Sequence, residues 1–398
     1  MFNIGLQLSR QSKSLVISVV SCFFISLYSC NFSNLSTVNK SSIEVVFDSI
    51  SFNGKLYLER LDPNTTILVD SIIGGDSKDL VFKITPKQFP DIYILRFSSD
   101  QAITIIIDST SNVKVRISDF PYYSNYSITG SNSSNIIRKN NSILNEHIGV
   151  FEHKYSEYRN RKRDDSFDYY RKQTDSILRQ NQIELYNKLK ESIEHNPKSL
   201  ASLLAIYSKF GTENIFNIDY DYSTFKLLAD SLISAFPKNS HSISFYSSVQ
   251  KKMVDMELKE ERERLLDKGN EYPDIRLFSL DDKYYSIKDT KADIIVIYLW
   301  KSKYKAFWED NVILRKLYDK YDRNKFEIIG ISFEKDKLSW SNYCRMEQMN
   351  WINLISGPEN IDLINPNDIY PRIFVLDSSF NILVKDATID ELELILNK

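Results

Sequence analysis

The 398-residue chain is short of cysteine, histidine, glycine and proline. It holds three cysteines, four histidines, ten glycines and ten prolines. So little glycine argues against a nucleotide-binding fold built on Gly-rich loops, and neither GxGxxG nor GxxxxGKS/T occurs. His147, His153, His195 and His241 are too scattered to make a ligand set, so no metal site and no cofactor are expected. Neither sign of charge dominates. A net charge of −2 gives no footing for a nucleic-acid partner. What the chain has in plenty is aromatic area, with 24 tyrosines and 23 phenylalanines, enough to build real cores over two or three domains.

The first thirty residues read as a targeting segment. Arg10 and Lys13 form a basic start, no acid precedes Cys30, and Leu15 to Tyr28 is an apolar run too short to span a bilayer. The run ends in Leu27-Tyr28-Ser29-Cys30, which resembles the lipobox of bacterial lipoproteins, with the bulky Tyr28 as a departure. The resemblance implies a signal peptide over 1–29, lipidation of Cys30 and a polar tether over 30–41. Membrane attachment would then run through Cys30, and a periplasm-facing outer-membrane location is the expectation. Cys22 would leave with the signal, so Cys344 would be the one remaining thiol, unable to form an intramolecular disulfide.

Residues 42–132 read as an all-β sandwich or barrel. Short β-branched and aromatic runs (IEVVFDSI, GKLYLERL, TTILVDSII, DLVFKI, DIYILRF, AITIIID, NVKVRISD) recur about every ten residues, with turns such as Asn53-Gly54 between them. The order of GKLYLERLDP, VDSI, Pro90 to Arg96 and Ile128-Thr129-Gly130-Ser131 resembles the β domain of unknown function that precedes thioredoxin-like domains in many Gram-negative lipoproteins. Residues 133–268 read as helical. Ile143, His147, Phe151, Tyr155 and Tyr158 keep helical spacing, and a second segment, Phe167 to Glu194, carries Ile177, Leu178, Leu185 and Leu189. LASLLAIYSKF, Phe225 to Phe236 and Ser242 to Asp267 follow. The basic run Arg159 to Arg163 reads as a solvated helix face balanced by Asp164 and Asp165.

From 269 to 398 strands and helices alternate, which implies an α/β sheet with βαβ connections. The apolar run Ile294 to Trp300 reads as a strand covered on both faces. A polar turn follows, then a helix with Val312, Leu314, Leu317, Tyr318 and Tyr321 on one stripe. Pro273-Asp274 with Leu277, Trp300 with Ser302, FEIIGISFEKDK, and Tyr370-Pro371 before an apolar strand together resemble the thioredoxin-like TlpA/ResA and AhpC/TSA-related group. The resemblance implies a thioredoxin-like fold with Pro371 as the cis-proline.

It also implies a reactive Trp-x-Ser-x-Cys-x-x-Cys turn, and there the chain departs. The two cysteine positions hold Tyr304 and Phe307. Thiol–disulfide exchange needs a thiolate of lowered pKa and a resolving thiol. Neither a phenol nor a phenyl ring provides one. A binding or structural module of a lipoprotein is therefore expected, with Tyr370, Pro371 and Trp308 as a groove for a peptide or protein partner. Tyr304 and Phe307 would line the same wall, and Lys301, Lys303 and Lys305 would form a basic rim. The alternative is a thiol–disulfide or peroxide-reducing enzyme acting through Cys344 or a partner's thiols.

Overall fold

The computed structural model describes residues 40–48, 52–75, 79–109 and 112–397. The targeting segment and Cys30 lie outside them. Eight strands open the chain: β1 Ser41–Phe47, β2 Lys55–Asp62, β3 Thr65–Ile73, β4 Asp79–Ile84, β5 Asp91–Arg96, β6 Ala102–Ile107, β7 Asn112–Ile117 and β8 Tyr126–Thr129. They form two four-stranded sheets, β4-β1-β7-β8 and β3-β2-β5-β6. The sandwich expected from the turn spacing is present, with two differences. β1 and β7 run parallel, and the four-residue β8, too short to stand out in the sequence, closes one sheet.

Alternation along the strands decides what each sheet covers. Val113, Val115 and Ile117 of β7, together with Ile103, Ile105 and Ile107 of β6, fill the space between the sheets. The opposite faces of β5 and β6 carry Ile92 and Ile106, which join the core of the helical region. The sheet β3-β2-β5-β6 is thus a middle layer between the other sheet and the helices.

The helical region comprises α1 Asn132–Asn160, α2 Phe167–His195, α3 Leu200–Ile206, the two-residue strands β9 Lys209–Phe210 and β10 Glu213–Asn214, α4 Tyr222–Ala235 and α5 Ser240–Leu265. Its first helix grips the β layer directly. The Ile106 amide donates to the Ser134 hydroxyl at 2.9 Å, so the N-terminus of α1 caps the outer edge of β6. The apolar run at 200–210 does not stay helical to its end. α3 stops at Ile206, and Gly211, at φ +63°, turns the chain into the β9–β10 hairpin. On α2, Ile177 is exposed, and the buried stripe runs through Thr174, Asn181, Leu185, Leu189 and Ile193. Asn181 belongs in that stripe because His147 of α1 meets its amide at 2.7 Å.

The C-terminal domain is built from β11 Arg276–Ser279, β12 Tyr284–Ser286, β13 Ile294–Trp300, α6 Lys305–Lys320, β14 Phe326–Ser332, α7 Lys337–Met346, β15 Ile352–Ile355, α8 Ile361–Ile364, β16 Arg372–Asp377, β17 Ile382–Lys385 and α9 Ile389–Leu396. Seven strands make one sheet in the order β12-β11-β15-β14-β13-β16-β17. β13, β14 and β15 are parallel neighbours joined through α6 and α7, and β16 runs antiparallel to β13. β13 sits inside the sheet, as its unbroken apolar run predicts. Ile295, Ile297 and Leu299 face one core, and Val296, Tyr298 and Trp300 face the other.

The stripe of α6 differs by one position from the expected one. Phe307, Asn311, Leu314 and Leu317 are buried, whereas Val312 is exposed. These buried positions follow the 3.6-residue period from Phe307, and Val312 falls about 150° from the centre of that face, on nearly the opposite side of the helix.

Candidate functional site

The turn from Lys301 to Tyr304 joins the C-terminal end of β13 to α6, and Tyr304 is the N-cap residue of that helix. It is pinned from two sides. The Ser302 amide donates to the Glu334 carboxylate at 2.6 Å, and the Trp308 indole donates to the Ser302 carbonyl at 2.9 Å. Nothing in the sequence marks Glu334 for this role, since 32 residues separate it from Ser302.

Tyr304 and Phe307 go to opposite faces of the sheet. Phe307 is fully buried and lies flat on Trp300, ring centroids 4.4 Å apart and planes 16° from parallel. Tyr304 is half-buried on the other face and stacks on Tyr370 at 6.0 Å. Tyr370 in turn packs against Phe333 at 5.3 Å, and its peptide bond to Pro371 is cis. Burial pushes the Tyr370 phenol well above its ordinary pKa.

This placement divides the expected aromatic wall. Trp308 makes edge contacts with Phe307 at 5.0 Å and with Tyr343 of α7 at 5.9 Å, in the core that also holds Trp300. Tyr304 and Tyr370 belong to the core on the other face. Tyr370 and Trp308 thus pack in different cores.

Of the basic rim, Lys301 is drawn in, while Lys303 and Lys305 stay exposed. The Lys301 ammonium lies 4.0 Å from the Tyr370 ring centroid and 3.0 Å from the Asp368 carboxylate, with its side chain mostly covered. Lys303 sits over Tyr304 at 4.9 Å, and Lys305 pairs with Glu309 in the open.

Cys344 is the free cysteine of the described residues. It is 3% exposed on the inner side of α7, among Trp340, Met349 and Trp351. Burial pushes its thiol up to about 12. A thiol so placed packs as a small apolar side chain. Among the described residues no group of His, Cys, Asp and Glu is arranged to hold a metal.

The residue after the cis-proline ties this end of the sheet to the helical region. Arg372, its side chain 1% exposed, is paired with Glu263 of α5 and donates to Asp386 at 2.5 Å and to the Asn365 side chain at 3.3 Å. Lys385 reaches Glu263 at 2.8 Å and Asp267 at 2.7 Å. Beside this cluster, Asp219, Lys252, Asp255, Glu263, Arg264 and Asn367 line an open cavity of about 780 Å³. The cavity does not reach Tyr304 or Phe307.

Residues 292–382 match the family described as thioredoxin-like. No curated protein matches the chain. Solved structures similar to it include the thioredoxin domain of a thiol-disulfide oxidoreductase from Bacteroides vulgatus, at 19% identity and a TM-score of 0.31, covering 33% of this chain and 96% of that one. A thiol:disulfide interchange protein from a Bacteroides species is similar at 19% identity and a TM-score of 0.31, covering 33% of this chain and 91% of that one. The chain thus combines N-terminal strand sheets, a helical middle region and a C-terminal thioredoxin-like α/β domain.

Proposed function

We propose that the thioredoxin-like domain has exchanged dithiol chemistry for packing, and that the protein is a binding or structural component of the cell envelope, anchored through a lipid on Cys30 and facing the periplasm. One observation carries the reading. The two positions where the family resemblance places reactive thiols are filled by rings, each stacked against its own core: Phe307 on Trp300, and Tyr304 on Tyr370. A nucleophile at the start of α6 would gain from the helix dipole, but a phenol of ordinary pKa about 10 and a phenyl ring have no thiolate to stabilise. The burial of Cys344 on α7 supports the same reading, since exchange needs an accessible thiolate. The anchor follows from the lipobox resemblance, and the envelope location follows from the anchor.

The polypeptide from Asn31 to Lys398 carries every described helix and strand. It is expected to reduce neither insulin nor glutathione disulfide above the uncatalysed rate. Turnover that disappears in Cys344→Ser would overturn this reading in favour of a thiol–disulfide or peroxide-reducing enzyme. For the anchor, labelled palmitate fed to cells should enter the full chain and not its Cys30→Ser variant. Equal labelling of the two would exclude lipidation at Cys30.

A further inference from the structure

The far end of the α1–α2 hairpin is built unlike the rest of the helical region. Buried side chains on α1 stop at His147, and those on α2 begin at Thr174. α1 runs on to Asn160, so beyond Phe151, whose ring meets Phe210 edge-on at 5.2 Å, about 14 Å of helix stands clear of the core. A ladder of rings holds it. Phe151 stacks on Tyr155 at 5.8 Å, Tyr155 on Tyr158 at 6.5 Å, and Tyr158 packs against Phe167 of α2 at 5.5 Å. Tyr155 is 47% exposed and Tyr169 68%.

Charge gathers at the same place. From Lys154 to Lys172 there are seven lysines and arginines against four acids, in a chain whose net charge is −2. The acids are largely committed. Glu157 pairs with Lys154 at 2.8 Å, Asp168 with Arg171 at 3.5 Å, and Asp164 accepts from the Ser166 amide and hydroxyl. Arg161 and Arg163 lie over Tyr170 and Phe167, with 4.2 and 5.8 Å to the ring centroids. Among the described residues Arg159, Lys162 and Arg163 make no ion pair, and neither does Asp165. The tip is therefore a cationic, tyrosine-rich knob, where balance by Asp164 and Asp165 was expected.

We propose that this knob docks on a bilayer surface carrying anionic lipid. Uncommitted cations suit lipid phosphates, each contributing about a fivefold gain in partition near an anionic surface. Tyrosines beside them suit the headgroup level, where an apolar ring and a polar hydroxyl are both satisfied. A nucleic acid fits less well. Single strands are held in grooves that track the backbone, whereas the tip is the convex end of a helix pair, and the chain as a whole is slightly acidic. The proposal goes beyond the envelope reading and does not rest on the lipid anchor, since it requires binding by a chain without Cys30.

The test is co-sedimentation of the Asn31 to Lys398 polypeptide with vesicles of phosphatidylcholine alone, or with about one third phosphatidylglycerol. At least about tenfold stronger binding to the anionic vesicles is expected, weakened by added salt. Arg159→Glu, Lys162→Glu and Arg163→Glu together should abolish the difference, and Tyr169→Ser should reduce binding to both. These side chains are exposed, so thermal melting of the variants should match the parent. Equal binding to the two vesicle types would overturn the proposal, as would undiminished binding by the triple variant. Tighter retention of a single-stranded oligonucleotide than of vesicles would do the same, and would point to nucleic acid instead.

Discussion

Phe307 lies on Trp300 as one plate on another, 4.4 Å between ring centroids, with no exposed surface left on either ring. The pair links the end of β13 to the first turn of α6, so the residue at a position where the family resemblance would place a thiol is part of the core. Phe307→Ala should then cost about 3–5 kcal/mol in urea unfolding, the usual penalty for removing a buried phenyl ring. Tyr304→Ala, from a half-buried position, should cost about 1–2 kcal/mol. A Phe307→Ala cost below that of Tyr304→Ala would mean that the ring is not a core element.

Cys344 provides a second check. With its thiol pushed up to about 12, roughly one molecule in ten thousand carries the thiolate at pH 8. An exposed thiol of pKa about 8.5 would carry it in about one in four. Ellman's reagent should therefore label the folded Asn31 to Lys398 polypeptide about a thousandfold more slowly than the same chain in urea. Labelling of the folded protein at the free-thiol rate would show that Cys344 is accessible.

Much of the fold can be read along the chain, and the misses have physical causes. β13 announces itself because a strand covered on both faces needs a continuous apolar run. The absence of thiols at 304 and 307 is equally plain. That Phe307 turns inward to Trp300 while Tyr304 turns to Tyr370 depends on where α6 begins, which composition does not state. Hydrophobicity favours Val312 over Asn311 for the buried stripe, yet helical geometry buries Asn311. The Arg372–Glu263 pair spans 109 residues and the eight helices and strands from β11 to α8, and no local pattern marks either partner. At the hairpin tip the sequence shows the charges, but only the structure shows that several acids are already engaged.

Gly330 tests how tightly β14 is packed. A Cβ there would lie 2.8 Å from the Trp351 indole nitrogen and 3.2 Å from the Asn353 side-chain oxygen, both on buried residues of the adjoining segment. Gly330→Ala must push Trp351 out of a filled core. Destabilisation of about 1–3 kcal/mol is expected by chemical denaturation. A neutral or stabilising effect, as at a glycine with open space around it, would show that the indole can shift freely.

The Arg372–Glu263 pair makes stability depend on pH in a definite direction. Burial acts to raise the Glu263 pKa, but hydrogen bonds from Arg372 and Lys385 outweigh it and leave the carboxyl below its ordinary 4.5. The unfolded chain therefore binds this proton more readily than the folded one. The stability Glu263 contributes is present above about pH 4.5 and is lost as pH falls through its lower folded value. Asp91 acts in the opposite sense, because burial raises its pKa and its ionisation opposes folding. The two separate in the difference between the parent and Glu263→Gln, where Asp91 cancels. That difference should be about 3 kcal/mol near neutral pH, because a guanidinium 1% exposed loses one of its two carboxylate partners. It should shrink steadily below about pH 4.5, followed by thermal melting across that range. A pH-independent difference would mean that the glutamate's charge is not what holds α5 to the residue after the cis-proline.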